Sequence, residues 1–217
     1  MSYYEIQGGR PLSGALAVHG AKNSVLPILA ACLLVSGQNV IHNCPDLSDV
    51  SATLDILRLL GCRVEREEDT VTIDASGLNR WDIPEYLMRE MRSSVIFLGA
   101  LLARLGTAEL SYPGGCELGP RPIDLHLSTL RALGAEILEE QGALCCRGRK
   151  KSLQGREVCL PIPSVGATEN AMLAACGCPG LTTIVGAAQE PEIVDLQNFL
   201  QAMGAQARGA GTRTVSI

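Results

Sequence analysis

Three short phrases decide how this chain is read: Leu57-Arg58-Leu59-Leu60-Gly61, Leu130-Arg131-Ala132-Leu133-Gly134 and Leu200-Gln201-Ala202-Met203-Gly204, spaced 73 and then 70 residues apart. Each closes a stretch of helical period with a glycine just past the helix end, the place where a left-handed backbone is wanted. Each is followed by a strand-like run: Cys62-Arg63-Val64-Glu65, Ala135-Glu136-Ile137-Leu138 and Ala205-Gln206-Ala207-Arg208. The repeated unit therefore ends helix, glycine, strand.

Its first half recurs as well. Lys22-Asn23-Ser24 leads into Val25–Ala31, Met91-Arg92-Ser93-Ser94 into Val95–Ala103, and Thr168-Glu169-Asn170 into Ala171–Ala175, in each case a polar opening followed by an apolar helix of small residues. A β-like segment follows each: Asn39–His42, Thr107–Ser111 and Thr182–Val185. The inner helices are apolar nearly all round and belong inside, whereas the second helix of each unit carries charge on one face (Asp55, Arg58, Arg131) and belongs outside. The expected fold is α/β, a single domain of three strand-helix-strand-helix-strand units at roughly 12–75, 83–148 and 155–217.

The 217 residues are 47% hydrophobic and 19% charged, which excludes disordered, collagen-like and coiled-coil classes. A net charge of −5, with one Trp, four Tyr and two Phe that never cluster, argues against a general nucleic-acid binder. The longest apolar runs fall short of the ~20 residues that span a bilayer, and the first ten residues have neither a basic nor an apolar leader region. A cytoplasmic location is expected, with no membrane partner. Nine cysteines, an odd number without a C-x-x-C pair, support neither a disulfide framework nor a zinc site. Most read as reduced core thiols.

One cysteine stands apart. Tyr112-Pro113-Gly114-Gly115-Cys116-Glu117-Leu118-Gly119-Pro120-Arg121-Pro122 is a loop by composition, longer than the matching linkers of the other units. A thiol beside glycines and a cation is placed for exposure and a lowered pKa, which makes Cys116 a candidate reactive residue. Lys22-Asn23 and Ser164-Val165-Gly166-Ala167-Thr168 both precede an apolar helix, where free N–H groups and the helix dipole favour phosphate. Ser164 reads equally well as a plain N-cap. Arg92 opens the middle helix in the same way, and units packed about a pseudo-threefold axis would bring the three polar openings to one end. His19, His42 and His126 show no metal-ligand pairing and read as structural, and no metal site or dinucleotide or Walker loop is found. Glu190, Glu192 and Asp195 sit where acids complement the dipole of the third outer helix.

The motifs GGRPLSGALAVHGAKNSVLPILAA, MRSSVIFLGALLAR, PGGCELGPRPIDLHL, PSVGATEN and EPEIVDLQNFLQAMGA carry a resemblance that runs over essentially the whole chain. It resembles the UDP-N-acetylglucosamine 1-carboxyvinyltransferases, enolpyruvyl transferases that commit the nucleotide sugar to peptidoglycan synthesis. The resemblance implies one of two inside-out α/β barrel lobes, each of three units, with the second lobe of the same enzyme as an expected partner. It implies phosphoenolpyruvate and UDP-N-acetylglucosamine as substrates and no cofactor. Lys22 and Asn23 would meet phosphoenolpyruvate and the sugar, and Arg92 the UDP-sugar. Cys116 would be the proton donor and the target of fosfomycin, with Lys22 and Arg121 as the catalytic cations. Arg121, Pro122, Ile123, Asp124 and Leu125 would line the nucleotide and phosphate site. Ile162, Pro163, Ser164 and Val165 would complete the diphosphate and uridine contacts, Ile162 through its main chain or apolar surface because some relatives carry lysine there. Glu190 joins the substrate-binding set. A shikimate-phosphate enolpyruvyl transferase is the runner-up within the family, and a non-catalytic UDP-sugar-binding lobe is the alternative outside enzymology.

Overall fold

All three repeat glycines occupy the left-handed region, Gly61 at φ 100°, Gly134 at 101° and Gly204 at 100°. The computed structural model, which describes residues 3–111, 123–140, 143–148 and 153–217, closes each preceding helix with one and the same cap. Gly61 N donates to Arg58 O and Cys62 N to Leu57 O, Gly134 N to Arg131 O and Ala135 N to Leu130 O, and Gly204 N to Gln201 O and Ala205 N to Leu200 O. This paired bonding satisfies carbonyls that a helix end leaves open, and only glycine enters it without strain.

The first unit runs α1 (Lys22–Ala31), a 3-10 turn Cys32–Leu34, β1 (Gln38–Ile41), α2 (Ser48–Leu59), β2 (Arg63–Glu67) and β3 (Thr70–Asp74). The second runs β4 (Asp82–Ile83), α3 (Glu85–Glu90), a 3-10 segment Arg92–Ile96, α4 (Phe97–Leu105), β5 (Thr107–Ser111), α5 (Asp124–Ala132), β6 (Glu136–Glu140) and β7 (Ala143–Arg147). The third runs β8 (Glu157–Cys159), α6 (Val165–Ala175), β9 (Thr183–Val185), α7 (Pro191–Ala202) and β10 (Thr214–Ser216). The sheets among these residues have the orders β1-β3-β2, β4-β5-β7-β6 and β10-β9-β8. β4 with β5 and β8 with β9 are parallel pairs joined across an inner helix, and the other pairings are antiparallel. The topology is that of an α/β lobe with helices inside and sheets outside.

Burial sorts the helices as their charge does. α6 is buried at every position from Ala167 to Ala175, and α4 buries Phe97 through Leu102, because neither carries a polar face to water. α2 and α7 bury one stripe, Val50/Leu54/Leu57 and Ile193/Leu196/Leu200, and turn the other outward. The Arg58–Asp55 ion pair lies on that outer face.

Four local expectations need correction. No opening strand precedes α1: residues 3–20 form neither helix nor strand, and the large side chains of Tyr3, Tyr4, Ile6, Leu12, Leu16 and Val18 all stand exposed, Leu12 at 99%. The alternation of Leu12, Gly14, Leu16 and Val18 has a strand's period but no partner among the described residues. The run Ala205–Arg208 contributes only one bridge, Arg208 to Ser216, since Ala-Gln-Ala has little strand preference and the Gly209–Thr212 turn consumes the rest of the hairpin. Thr168, Glu169 and Asn170 are not an exposed opening but lie buried within α6.

The middle inner helix also starts differently from the regular helix that Arg92 is expected to open, as 3-10 backbone through Ile96. The cause is Asn170. In a regular helix Gly99 N would donate to Val95 O; here Gly99 N donates to Asn170 Oδ1 at 2.7 Å, and Asn170 Nδ2 donates to Val95 O at 2.9 Å. A side-chain amide has replaced one rung of the ladder, and the turn before it tightens.

Candidate functional site

The polar groups that the sequence singles out stand at the starts of inner helices. α1 begins at Lys22 without a side-chain cap, so its first N–H groups are left to water or a ligand. Lysine is a poor choice for a helix N-terminus on dipole grounds, which marks Lys22 as placed for something other than helix stability. Its Nζ lies 2.9 Å from Asp49 Oδ2 in the first turn of α2, with the lysine side chain still 49% exposed. Asn23 is exposed beside it. Pro27 has no N–H to give to the Asn23 carbonyl four residues back, so that oxygen too lacks its helical partner. Ser24 Oγ donates to Asp195 Oδ2 at 2.7 Å and fastens this corner to α7.

α6 supplies the second anion seat. Ser164 is its N-cap, with Oγ accepting from Ala167 N at 3.4 Å, so the capping role is real. The cap occupies one of the open donors and leaves the others of that turn. Val165 opens the helix, while Pro163 and Ile162 precede it in the open, Ile162 at 62% exposure. One turn in, Thr168 Oγ1 donates to Ser164 O at 2.8 Å and accepts from Ala188 N at 3.1 Å, tying α6 to the segment before α7. Glu190 is the N-cap residue of α7, exposed, with Oε2 accepting from Gln189 N at 2.8 Å.

The third group gathers round Asn170. Besides its bonds to Gly99 of α4 and to Val95 of the 3-10 segment, Asn170 Nδ2 lies 2.9 Å from His126 Nδ1, so the amide is the donor and that ring nitrogen the acceptor. His126 belongs to the first turn of α5, directly after Asp124 (exposed) and Leu125 (half-buried), with Ile123 buried ahead of them. The ring also lies against the start of α6: a Cβ on Gly166 would come within 2.8 Å of His126 Cε1. Arg92 heads the 3-10 segment that Asn170 tightens. Cys116, Arg121 and Pro122 lie outside the described residues.

Thus Lys22 and Asn23, Ser164 and Val165, Glu190, Ile123 to Leu125 and Arg92 belong to segments linked through Thr168 and Asn170 of α6 and through α7. Sequence reasoning does not show how these groups are tied together: it does not single out Asp49, and it reads Asp195 only as a dipole partner, Asn170 only as part of a polar opening and His126 only as structural, whereas they and Thr168 do the linking. The available signal was Thr168-Glu169-Asn170 itself, three consecutive polar residues in a helix with no polar face.

Glu169 is the most strained in charge. It is 6% exposed, and burial, then the nearby Glu192 and Glu190 carboxylates, push its carboxyl up to about 8. Burial likewise lifts the thiols of Cys62 to about 11, Cys146 to about 12 and Cys176 and Cys178 to about 11, so none of these is a nucleophile near neutrality. Among the described residues no three His, Cys, Asp or Glu side chains gather to hold a metal, and no helix is long and apolar enough to cross a membrane.

Comparison with known proteins gives a consistent picture. The family model for EPSP synthase (3-phosphoshikimate 1-carboxyvinyltransferase) matches residues 6–217. The chain is 52% identical over 217 residues to UDP-N-acetylglucosamine 1-carboxyvinyltransferase 2 of Caldanaerobacter subterraneus subsp. tengcongensis, covering 100% of this chain and 52% of that protein. It is 51% identical over 219 residues to UDP-N-acetylglucosamine 1-carboxyvinyltransferase 1 of Symbiobacterium thermophilum, covering 99% and 49%. Among solved structures, the enolpyruvyl transferase NikO from Streptomyces tendae superposes with a TM-score of 0.83 at 27% identity, over 97% of this chain and 49% of that one. EPSP synthase from Acinetobacter baumannii shares the fold, with a TM-score of 0.72 at 22% identity over 94% and 46%. The chain spans about half the length of the relatives it matches.

Proposed function

Because this chain belongs to the EPSP synthase family, we propose that it is the nucleotide-sugar-binding lobe of an enolpyruvyl transferase that joins phosphoenolpyruvate to the 3′-hydroxyl of UDP-N-acetylglucosamine. The observation that carries the choice of substrate is the 52% identity, across the entire chain, to a relative named for that reaction. A shikimate-phosphate substrate has no support of that kind. The exposed apolar stretch 3–18 needs a cover, and the rest of a two-lobed enzyme is the partner that would supply it.

In the reaction the sugar hydroxyl attacks C2 of phosphoenolpyruvate while C3 takes a proton. The hydroxyl gives up its own proton as it attacks. The tetrahedral intermediate, whose C3 is now a methyl group, then expels inorganic phosphate from C2 and loses a proton from C3, which restores the carbon–carbon double bond as the enol ether on the sugar. Cys116 is the acid that delivers the proton, and Lys22 and Arg121 face the phosphate and carboxylate, where cations lower the barrier most. Asn23, Arg92, the 121–125 segment, Ile162 to Val165 and Glu190 hold the nucleotide sugar, with the α6 N-terminus opposite the diphosphate. The three units at about 12–75, 83–148 and 155–217 each contribute one helix opening to this surface. The setting is cytoplasmic peptidoglycan synthesis, with fosfomycin as an alkylating agent for Cys116.

Two measurements on the purified chain test this: UDP-N-acetylglucosamine binding by calorimetry, and phosphate release from phosphoenolpyruvate with and without the sugar. Binding with sugar-dependent release supports a lobe that holds sufficient machinery. Binding alone supports a substrate-binding half that needs the rest of the enzyme. Absence of both overturns the reading.

A further inference from the structure

Asn170 is fully buried and saturates every polar atom of its carboxamide: Oδ1 takes Gly99 N–H, and the two hydrogens of Nδ2 go to Val95 O and His126 Nδ1. Only one orientation of the amide satisfies both a donor on α4 and an acceptor one turn earlier, so neither the rotamer nor the flip is free. The neighbouring backbone is shaped to fit. A Cβ on Gly99 would lie 2.4 Å from Asn170 O and 2.7 Å from its Oδ1, and one on Gly166 would meet the His126 ring at 2.8 Å. Residues 99, 126, 166 and 170, from three elements, thus form one close-packed knot.

Two consequences follow for the surface beyond the knot. With the Val95–Gly99 rung opened, residues 92–96 wind as 3-10 helix. At about 120° per residue instead of about 100°, the five steps from Phe97 back to Arg92 turn the backbone there by roughly 100° relative to a continuous α-helix and extend it by roughly 2–3 Å. And because His126 Nδ1 accepts, the neutral ring carries its proton on Nε2, on the side of the α6 opening.

We propose that Asn170 is a positioning residue of the nucleotide-sugar site: by taking the place of one α4 rung and fixing the His126 tautomer, it sets Arg92, the Asp124–Leu125 turn and the Ser164–Gly166 turn in mutual register. This deepens the proposed function and rests on it for the identity of the ligand. It requires nothing of Asn170 at the reacting atoms, from which its burial separates it.

The test uses the full 217-residue chain, isotope-labelled, with Asn170→Ala and Asn170→Asp. Alanine lets Gly99 N–H bond Val95 O directly, so residual dipolar couplings over 92–96 should change from 3-10 to α-helical values. Aspartate can accept from Gly99 but cannot donate to His126, so the ring proton should move to Nδ1, which histidine nitrogen shifts report. Both variants should bind UDP-N-acetylglucosamine at least tenfold more weakly while remaining folded by circular dichroism. Unchanged couplings and tautomer overturn the proposal, and so does a clear change in both with binding held within twofold. If the unsubstituted chain does not bind the sugar, the functional reading fails on its own, and the couplings and tautomer decide the positioning claim. If neither variant folds, a scalar coupling across the hydrogen bond in the unsubstituted chain decides it: from Gly99 nitrogen to Asn170 Cγ it supports the proposal, to the Val95 carbonyl it overturns it.

Discussion

Replacing Glu169 by glutamine should make this chain more stable, by an amount that depends on pH in a calculable way. The folded carboxyl, pushed up to about 8 by burial and by Glu192 and Glu190, holds a proton that the unfolded chain surrenders near the ordinary value of 4.5. Between those two values the folded state binds more protons than the unfolded one, so stability falls as pH rises through that window and levels off above it. With 1.36 kcal/mol per pKa unit, the penalty is below ~1 kcal/mol at pH 5 and on the order of 4 kcal/mol at pH 8, a growth of ~3 kcal/mol. Glutamine has the same shape and does not titrate, so the gap between Glu169→Gln and the unsubstituted chain should widen by that amount, whatever constant difference the amide introduces. Urea unfolding of both proteins at pH 5, 6, 7 and 8 measures it. Profiles that stay parallel across the series would refute the placement of Glu169 as a buried carboxyl beside two others.

Further outcomes follow from the same structure. Lys22→Ala should change stability by less than ~1 kcal/mol, because its pair with Asp49 is half exposed, yet weaken binding of phosphoenolpyruvate at least tenfold by calorimetry. Gly99→Ala should destabilise the fold by ~2–4 kcal/mol in urea titration, since its Cβ would overlap the Asn170 backbone rather than a movable side-chain tip. Cys116→Ser should abolish the fosfomycin adduct mapped by peptide mass spectrometry, with Cys62, Cys146, Cys176 and Cys178 held protonated by burial; an undiminished adduct, whether on the exposed Cys159 or elsewhere, would reassign the reactive thiol. Exposed apolar side chains between Tyr3 and Val18 should cause concentration-dependent association in sedimentation velocity that deletion of residues 1–19 removes; an ideal monomer at all concentrations would show that the segment does not drive contact.

What could be read from the residues alone was whatever depends on local chemistry. A glycine after Leu-x-x-Leu or Leu-x-x-Met becomes a left-handed cap through forces within six residues, which is why all three caps take one geometry. Apolarity all round a helix dictates burial for the same reason, and Lys22, Arg92 and Ser164 could be placed at helix starts because polar openings before apolar runs have no other use. What escaped were the features set by contacts distant in sequence. The start of α4 is decided by a residue 71 positions further on, since Asn170 and not Ser93 or Ser94 determines where Gly99 N–H bonds. The failure of residues 12–18 to join a sheet, despite their alternation, is equally non-local: a strand is completed by its neighbour, and none among the described residues pairs with it.

The polar triplet inside α6 shows how such non-local features could be sought. A helix with no wet face gains nothing from Thr168, Glu169 or Asn170 unless each meets a partner or a purpose, because an unmet buried polar group costs about 1–3 kcal/mol. Thr168 meets Ser164 and Ala188, and Asn170 meets Val95, Gly99 and His126. Glu169 alone has like charges for neighbours instead. Two residues of the triplet therefore assemble the surface on which Arg92, Ser164 and Asp124 stand, and the third carries a stability cost that packing alone does not explain. If Glu169→Gln raises stability and leaves binding of UDP-N-acetylglucosamine unchanged, that cost is incidental to the site; if binding falls while stability rises, the carboxyl is retained for the site's sake. The first outcome is expected near neutral pH, because a buried carboxyl that holds its proton up to about 8 presents to the site the same uncharged shape as the amide that replaces it.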